Sequence, residues 1–136
     1  SVHLVALGEA WTVAKKSNLD LEKTFKGIAA SSGNSFVHET ESQVILNGSY
    51  NINFTMDLVL KDTGLFDDLA KKLNAPLEIS PKIVEIFKDG QKKYGSRAWS
   101  SMIVKRMEDL NNIDFRAKGF PEELIDNEPE EKGFEI

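Results

Sequence analysis

The sequence predicts an all-α fold, a multi-helix bundle, and three observations predict it. Apolar residues recur every three or four positions along six segments, which is the spacing of one helix face. Short runs of glycine, asparagine, serine or proline separate these segments, and several segments begin with a capping residue. Only short stretches such as residues 43–46 resemble a strand, and no internal repeat is visible.

The first two helices follow each other closely. The first begins at Val2, is apolar around most of its circumference, and ends near residues 15–17 with Asn18 as its terminator. Because the chain opens inside this helical pattern, we expect it to be part of a longer protein. Asp20 caps a second helix, which ends at residues 31–34. The apolar face of this helix consists of Leu21, Phe25, Ile28 and Ala29.

The next two helices are separated by a turn at residues 47–49. The third helix runs from about Ser35, and one side of it carries Phe36, Thr40, Val44 and Ile45. The fourth covers about residues 56–73 and ends at the Asn-Ala-Pro sequence 74–76. Its expected apolar face consists of Leu58, Leu65, Leu69 and Leu73.

Two further helices and an extension complete the chain. Ser80 is an N-cap signal with Pro81 at the first helical position, and residues 94–96 end that fifth helix. The sixth carries Trp99, Met102, Ile103, Met107 and Leu110. We therefore expect a helical domain at residues 1–112 and an acidic C-terminal extension at 113–136. Four apolar residues are expected to attach the extension: Phe115, Phe120, Leu124 and Ile125.

Composition excludes several classes of protein. The chain has 136 residues and lacks cysteine, which excludes disulfides, thiolate zinc sites and cysteine nucleophiles. No apolar run approaches the ~18 residues that a membrane span needs, and no signal-peptide pattern is visible. We therefore expect no membrane segment and a cytoplasmic location, or the mitochondrial matrix in a eukaryote. Residues 121–136 hold a net charge of −6 and the other 120 residues +1, which argues against a nucleic-acid partner.

Common catalytic and metal-binding patterns are absent. There is no glycine-rich phosphate loop. His38 and Glu41 lie three residues apart on one predicted helix, but nothing else with ligand spacing joins them, so we expect no metal site. Two matches to the glycosylation sequon, at residues 47–49 and 53–55, are interpreted as a turn and a helix start.

The fourth helix carries the most informative segment. Lys61 and Asp68 lie seven residues apart, about 20° apart around a helix, and Gly64 lies between them. A glycine inside an exposed helix costs about 1 kcal/mol relative to alanine, so a ligand or another backbone is expected to approach there. The alternative is structural: Gly64 admits a packed helix. The lysines would then form i,i+4 pairs in the order Asp57–Lys61, Asp67–Lys71 and Asp68–Lys72.

Residues 61–68, KDTGLFDD, resemble the Lys-Asp-Leu-Gly-x-Ala-x-Asp signature of the β-hydroxyacid dehydrogenases. These are relatives of 3-hydroxyisobutyrate dehydrogenase, tartronate semialdehyde reductase and 6-phosphogluconate dehydrogenase. Thr63 and Phe66 depart from the signature, whereas Phe54 matches a family phenylalanine eight residues before the first aspartate. Residues 9–10 and 31–35 also match in order, so the resemblance covers about residues 1–110.

The resemblance implies the C-terminal helical domain, of the 6-phosphogluconate dehydrogenase C-terminal-domain-like type, of an NAD(P)-dependent 3-hydroxyacid dehydrogenase. It implies NAD or NADP as cofactor and a small 3-hydroxy acid as substrate. The expected cofactor-binding residues are Phe54, Lys61, Asp62, Gly64 and Asp68. The catalytic lysine and an N-terminal Rossmann domain are expected upstream of Ser1, so the chain alone is expected to be inactive.

The family also commonly uses this domain for subunit contacts. A homodimer or homotetramer is therefore expected. This agrees with a first helix that is apolar around most of its circumference, which fits burial against neighbours on several sides. The alternative to the dehydrogenase domain is a stand-alone, non-catalytic helical interaction module with an acidic tail. An upstream reading frame that contains a glycine-rich nucleotide loop would distinguish the two.

Overall fold

A computed structural model of the chain describes residues 1–125 and residue 133, and these form an all-α fold, as predicted. The elements are, in order, α1 (Val2–Lys16), α2 (Leu21–Ala29), α3 (Phe36–Asn47), α4 (Met56–Lys72), α5 (Ser80–Tyr94), a 3-10 helix (Ser100–Ile103) and α6 (Lys105–Asn111). The described residues contain no β-strand, only an isolated bridge between Thr55 and Trp99. No helix among them is long and apolar enough to cross a membrane.

Local signals set most helix boundaries. The Asp20 carboxylate accepts a hydrogen bond from the backbone N–H of Lys23 (3.0 Å), and the Ser35 hydroxyl accepts one from the backbone N–H of His38 (3.1 Å). The predicted cap at Asp20 is thus confirmed, and Ser35 caps the helix that was predicted to run from about that residue. Asn18 ends α1 in the left-handed conformation, with φ 54°, which asparagine tolerates better than most residues.

The predicted cap of α5 is wrong by one residue. Ile79 occupies the cap position and the helix begins at Ser80, so Pro81 is the second helical residue rather than the first. The Ser80 hydroxyl donates a hydrogen bond to the carboxylate of Asp67 on α4 (2.5 Å) instead of capping its own helix. The Ser80 hydroxyl therefore joins α5 to α4 and does not cap its own helix.

The predicted sixth helix is divided. The backbone of Trp99 bridges to Thr55, and the backbone N–H of Ser100 donates to the carbonyl of Phe54 (2.8 Å). These bonds hold the chain extended at the point where a helix from Trp99 would start. A 3-10 turn follows, and α6 begins only at Lys105.

Helix α1 lies at the centre of the bundle. It packs against α2, α3, α5, α6 and the 3-10 helix, and its buried residues include Leu4, Leu7 and the fully buried Trp11. This agrees with the predicted burial of α1 on several sides. One face of α1 nevertheless stays exposed, and its apolar members are Val2, Ala6, Ala10 and Val13.

His38 is a core residue. Its Nε2–H donates to the carbonyl of Phe25 (2.9 Å), so its Nδ1 accepts from the hydroxyl of Ser42 (3.0 Å). Its ring also stacks on Trp11, with ring centroids 5.9 Å apart. Both ring nitrogens are thus engaged within the protein, and no three His, Asp or Glu side chains of the described part cluster as metal ligands would.

The first half of the extension packs on the helical domain, partly as predicted. Phe115 is fully buried, and the ring of Phe120 meets the ring of Phe25 edge-on at 5.1 Å between centroids. Ile125, in contrast, is exposed. Residues 126–132 and 134–136, which hold most of the predicted acidic tail, lie outside the described residues.

A buried polar network joins the extension to the connection between α3 and α4. Glu108 is only 2% exposed, and its carboxylate accepts hydrogen bonds from the Tyr50 hydroxyl, the Arg116 guanidinium (2.9 Å) and the backbone N–H of Phe115 (2.7 Å). Burial and the Glu108 carboxylate raise the pKa of Tyr50 well above its ordinary value, so its hydroxyl keeps the proton that it donates.

Candidate functional site

Helix α4 presents three of the predicted cofactor-binding residues, Lys61, Gly64 and Asp68, away from the core. We call this side of the helix the charged stripe. Its buried residues include Val59 and Ala70, and both lie roughly opposite Lys61 around the helix. Lys61 and Asp68 are therefore outward-facing, with side chains 60% and 66% exposed. Along the helix axis they are about 10 Å apart. Gly64 lies between them, half-buried.

The charged side chains of this stripe are paired differently from the prediction. The Lys61 ammonium lies 3.0 Å from the Asp62 carboxylate, and the Asp68 carboxylate lies 3.2 Å from the Lys71 ammonium. The three predicted i,i+4 pairs are absent from α4. Exposed pairs of this kind contribute about 0–1 kcal/mol, so a ligand can displace them at little cost.

Arg97 joins the stripe from a distant part of the sequence. Its guanidinium lies 3.3 Å from the carboxylate of Asp57, one helical turn before Lys61. The Thr55 hydroxyl, together with Arg97, lowers the pKa of Asp57 below its ordinary value. Sequence reasoning missed Arg97 because no local pattern links two positions 40 residues apart, as these are.

Gly64 has no packing partner among the described residues. A Cβ built there meets no atom within 4 Å, whereas a Cβ at Gly90 on α5 would come within 2.5 Å of Ile103 Cδ1 and 3.3 Å of Met56 Sδ. The structural alternative for Gly64, close packing of a second helix, is therefore wrong within this part of the chain. Gly90 is the glycine that close packing requires, and the sequence alone did not single it out.

These two glycines give opposite predictions for stability. Gly64→Ala should raise the free energy of unfolding by about 1 kcal/mol, because alanine is the better helix former and the space is open. Gly90→Ala should lower it by up to about 2 kcal/mol, because overpacking the core costs about 1–3 kcal/mol and the better helix propensity of alanine offsets about 1 kcal/mol of that. Urea unfolding followed by circular dichroism measures both. A Gly64→Ala variant that is less stable than the natural chain would contradict the open-space interpretation.

Phe54 lies just before α4. Its carbonyl is tied to Ser100, as described above, and Asn53 before it adopts the left-handed conformation with φ 54°. The ring is about one-third exposed. Phe54 thus has a fixed backbone and an accessible ring at the N-terminal end of the helix that carries Lys61.

Asp62, which pairs with Lys61, also borders an apolar groove. The groove has a volume of about 640 Å³ and lies between the start of α1, the middle of α4 and the connection from α4 to α5. Its apolar lining includes Val2, Phe66 and Ile79, all exposed to solvent. Asp62 is about 100° around the helix from Lys61, so it separates the groove from the charged stripe.

The predicted apolar face of α4 does not enter the core. Leu65, Leu69 and Leu73 are 65%, 54% and 67% exposed. The cause is that α4 packs mainly against α5 and buries a different side, which includes Met56 and Val59. An exposed apolar surface of this extent on a folded domain commonly marks a contact with another protein surface.

Comparison with known proteins identifies the family. Residues 1–107 match the model of the NAD-binding domain of NADP-dependent 3-hydroxyisobutyrate dehydrogenase. The chain is 29% identical to L-threonate dehydrogenase of Haemophilus influenzae, over 76% of this chain and 35% of that protein. It is 30% identical to 2-(hydroxymethyl)glutarate dehydrogenase of Eubacterium barkeri, over 82% of this chain and 37% of that protein.

A solved structure shares the fold. The crystal structure of 3-hydroxyisobutyrate dehydrogenase from Salmonella typhimurium superposes with a TM-score of 0.71 at 27% identity, over 77% of this chain and 37% of that one. The chain therefore spans little more than a third of the length of these relatives. The NAD-binding family model agrees with the predicted NAD or NADP cofactor. With the helical fold and the KDTGLFDD segment in the matched region, the chain belongs to the family of the NAD-binding domain of 3-hydroxyisobutyrate dehydrogenase.

Proposed function

We propose that this chain is the C-terminal helical domain, of the 6-phosphogluconate dehydrogenase C-terminal-domain-like type, of an NAD(P)-dependent 3-hydroxyacid dehydrogenase. The intact enzyme would transfer hydride between a short 3-hydroxy acid and NAD or NADP. The family match over residues 1–107 and the length of the relatives support this proposal. An N-terminal Rossmann domain and the catalytic lysine would then lie before Ser1, and the chain alone would be inactive.

The observation that carries the proposal is the outward stripe of α4. A dinucleotide is anionic and bulky, and the stripe offers it a displaceable cation at Lys61 and bare backbone at Gly64, where a Cβ would meet nothing. These residues fit such a group. When bound, the nicotinamide supplies the hydride acceptor or donor.

Each predicted residue has a distinct role in this proposal. Lys61 supplies positive charge near the cofactor or substrate, and Gly64 lets the ligand approach the helix backbone. Asp62, at the border of the apolar groove, orients groups near the nicotinamide end, and Phe54 packs there. Asp68 places an acceptor at the far end of the stripe.

The apolar groove beside Asp62 fits the role of a surface for the preceding part of the protein. Ser1 and Val2 line it, so any polypeptide that continues α1 towards its N-terminus emerges there. Phe66 and Ile79 on the opposite wall would lose their exposure to solvent against that segment. We accordingly place the Rossmann domain on this side of the molecule.

Lys61→Ala in the full-length enzyme tests the function. We expect kcat/KM to fall at least about tenfold, which corresponds to about 1.4 kcal/mol of lost transition-state stabilisation. Lys88→Ala, which removes an exposed lysine on α5, is the matched control and should leave kinetics unchanged. Unchanged kinetics in Lys61→Ala would remove the role given to the stripe.

We also propose that the protein is a homodimer or homotetramer in which this domain makes subunit contacts. The exposed apolar face of α1 supports this proposal, because Val13 on that face is a large apolar residue in solvent. Sedimentation equilibrium of the 136-residue chain tests it directly, and a monomer at tens of micromolar would contradict it.

A further inference from the structure

The connection between α3 and α4, which carries Phe54, has an unusual backbone. Three of its residues adopt the left-handed conformation: Gly48 with φ 97°, Tyr50 with φ 55° and Asn53 with φ 54°. Glycine and asparagine tolerate this conformation, whereas a tyrosine keeps it only where its surroundings hold it there. Tyr50 is therefore the strained residue of the connection, and it lies four residues before Phe54.

Tyr50 is held at both its backbone and its side chain. Its carbonyl accepts a hydrogen bond from the hydroxyl of Ser101 in the 3-10 helix (2.5 Å). Its buried hydroxyl donates to the Glu108 carboxylate and accepts from the Arg116 guanidinium (3.0 Å). The guanidinium carbon also lies 5.3 Å from the centroid of the tyrosine ring. These contacts fix the residue in its strained conformation.

The 3-10 helix that holds Tyr50 also holds Phe54. The backbone N–H of Ser100 donates to the Phe54 carbonyl (2.8 Å), and Ser101 is the next residue. One short segment of backbone thus contacts both ends of the stretch from Tyr50 to Phe54. A displacement of Tyr50 is therefore expected to reach Phe54, both along the connection and through this segment.

We infer that Tyr50 is a positioning residue for the cofactor site: its hydroxyl, bound by Glu108 and Arg116, holds the connection so that the Phe54 ring packs at the nicotinamide end. Tyr50 is only 5% exposed, so it acts through Phe54 and not by touching the cofactor. Arg116 belongs to the C-terminal extension, which thereby takes part in cofactor binding. The inference rests on the proposed role of Phe54 and adds the residues that orient it.

Amide hydrogen exchange of the 136-residue chain tests this coupling without any ligand. Tyr50→Phe keeps the ring and removes only the hydroxyl. We expect exchange at the Ser100 N–H, which donates to Phe54, to accelerate at least about fivefold relative to the Trp11 N–H in the middle of α1. An equal acceleration at both amides, or none, would show that the Tyr50 hydroxyl serves only the stability of the fold, and would overturn the inference.

Tyr94→Phe is the matched control for this experiment. The Tyr94 hydroxyl also donates to a carboxylate, that of Asp109 on α6 (2.7 Å), but it has no contact with the connection between α3 and α4. Its removal should therefore leave the ratio of exchange at Ser100 and Trp11 unchanged. A change equal to that in Tyr50→Phe would show that loss of any tyrosine hydroxyl has this effect, and would contradict a specific role of Tyr50.

A double-mutant cycle in the full-length enzyme tests the consequence for the cofactor. Phe54→Ala should raise KM for the nicotinamide cofactor at least about tenfold and Tyr50→Phe at least about threefold, with little change in kcat. Because Tyr50 acts through Phe54, the double variant should have the KM of Phe54→Ala alone. A double variant whose KM reflects the product of the two separate effects would overturn the inference.

Failure of the inference and failure of the proposed function give different results. A raised KM in Phe54→Ala together with a natural KM in Tyr50→Phe would overturn the inference alone. A natural KM in Phe54→Ala would remove the role of Phe54 at the cofactor, and with it the role given to Tyr50. Lys61→Ala kinetics would still decide whether the charged stripe serves the dehydrogenase.

Discussion

Glu108→Ala is expected to lower the free energy of unfolding by about 3–5 kcal/mol, a large fraction of the 5–15 kcal/mol typical of a whole domain. The carboxylate is buried and accepts hydrogen bonds from Tyr50, Arg116 and the backbone of Phe115. Its removal leaves the Tyr50 hydroxyl and the Phe115 N–H without their acceptor, and Arg116, which still donates to the Ile45 carbonyl, without its counter-charge. Urea unfolding followed by circular dichroism measures the loss.

Two further variants show which part of the Glu108 interaction matters. Glu108→Gln keeps the shape of the side chain but removes its charge, so we expect a smaller loss of about 1–3 kcal/mol. Asp114→Asn breaks only an exposed ion pair with Lys15 and should change stability by less than about 1 kcal/mol. Equal stability of Glu108→Ala and Asp114→Asn would show that the network does not hold the extension.

Glu41→Gln is expected to stabilise the chain at pH 8 by up to about 3 kcal/mol and to have little effect near pH 4.5. The side chain is mostly buried, and its Oε2 has no hydrogen-bond partner. Burial raises the pKa of Glu41 from 4.5 to about 7. The folded chain thus holds this proton more tightly than the unfolded chain does.

The direction of the pH effect follows from that difference. Between about pH 4.5 and 7 the folded state binds more protons, so Glu41 makes stability fall as pH rises. Above about pH 7, Glu41 is ionised in both the folded and the unfolded state, so the loss of stability that it causes stays constant. Unfolding midpoints at pH 4.5 and 8 should therefore diverge between the natural chain and Glu41→Gln. Glu85→Gln, at an exposed position of α5, should show no such divergence.

Local chemistry predicted most of the secondary structure. The cap at Asp20, the helix start near Ser35 and the end of α1 at Asn18 depend on groups within four residues of each other, so they can be recognised without tertiary structure. Helix α4 likewise follows from its spacing, and it ends one residue from the predicted boundary. The family motif on α4 was also visible, because its residues are contiguous.

Predictions that required knowledge of neighbours were less successful. Leu65, Leu69 and Leu73 form an apolar face by spacing, but spacing does not say which surface covers them, and no surface of the described chain does. Arg97 and Ser80 engage two aspartates of α4 that were assigned to lysines of the same helix. A partner 40 or 13 residues away in sequence competes on equal terms with a partner four residues away.

The sequence by itself thus determined that this protein is helical, where most of its helices begin and end, and that one of them carries the KDTGLFDD motif. Only the tertiary structure decided that this motif faces outward and that Phe36 projects into solvent. It also decided that the space beside Gly64 is open, whereas the space beside Gly90 is filled by core side chains. The physical reason is the distance along the chain over which each kind of interaction acts. Capping and helix propensity act within one or two turns of the chain, whereas exposure depends on how distant segments pack, and that arrangement is not encoded in any single local pattern.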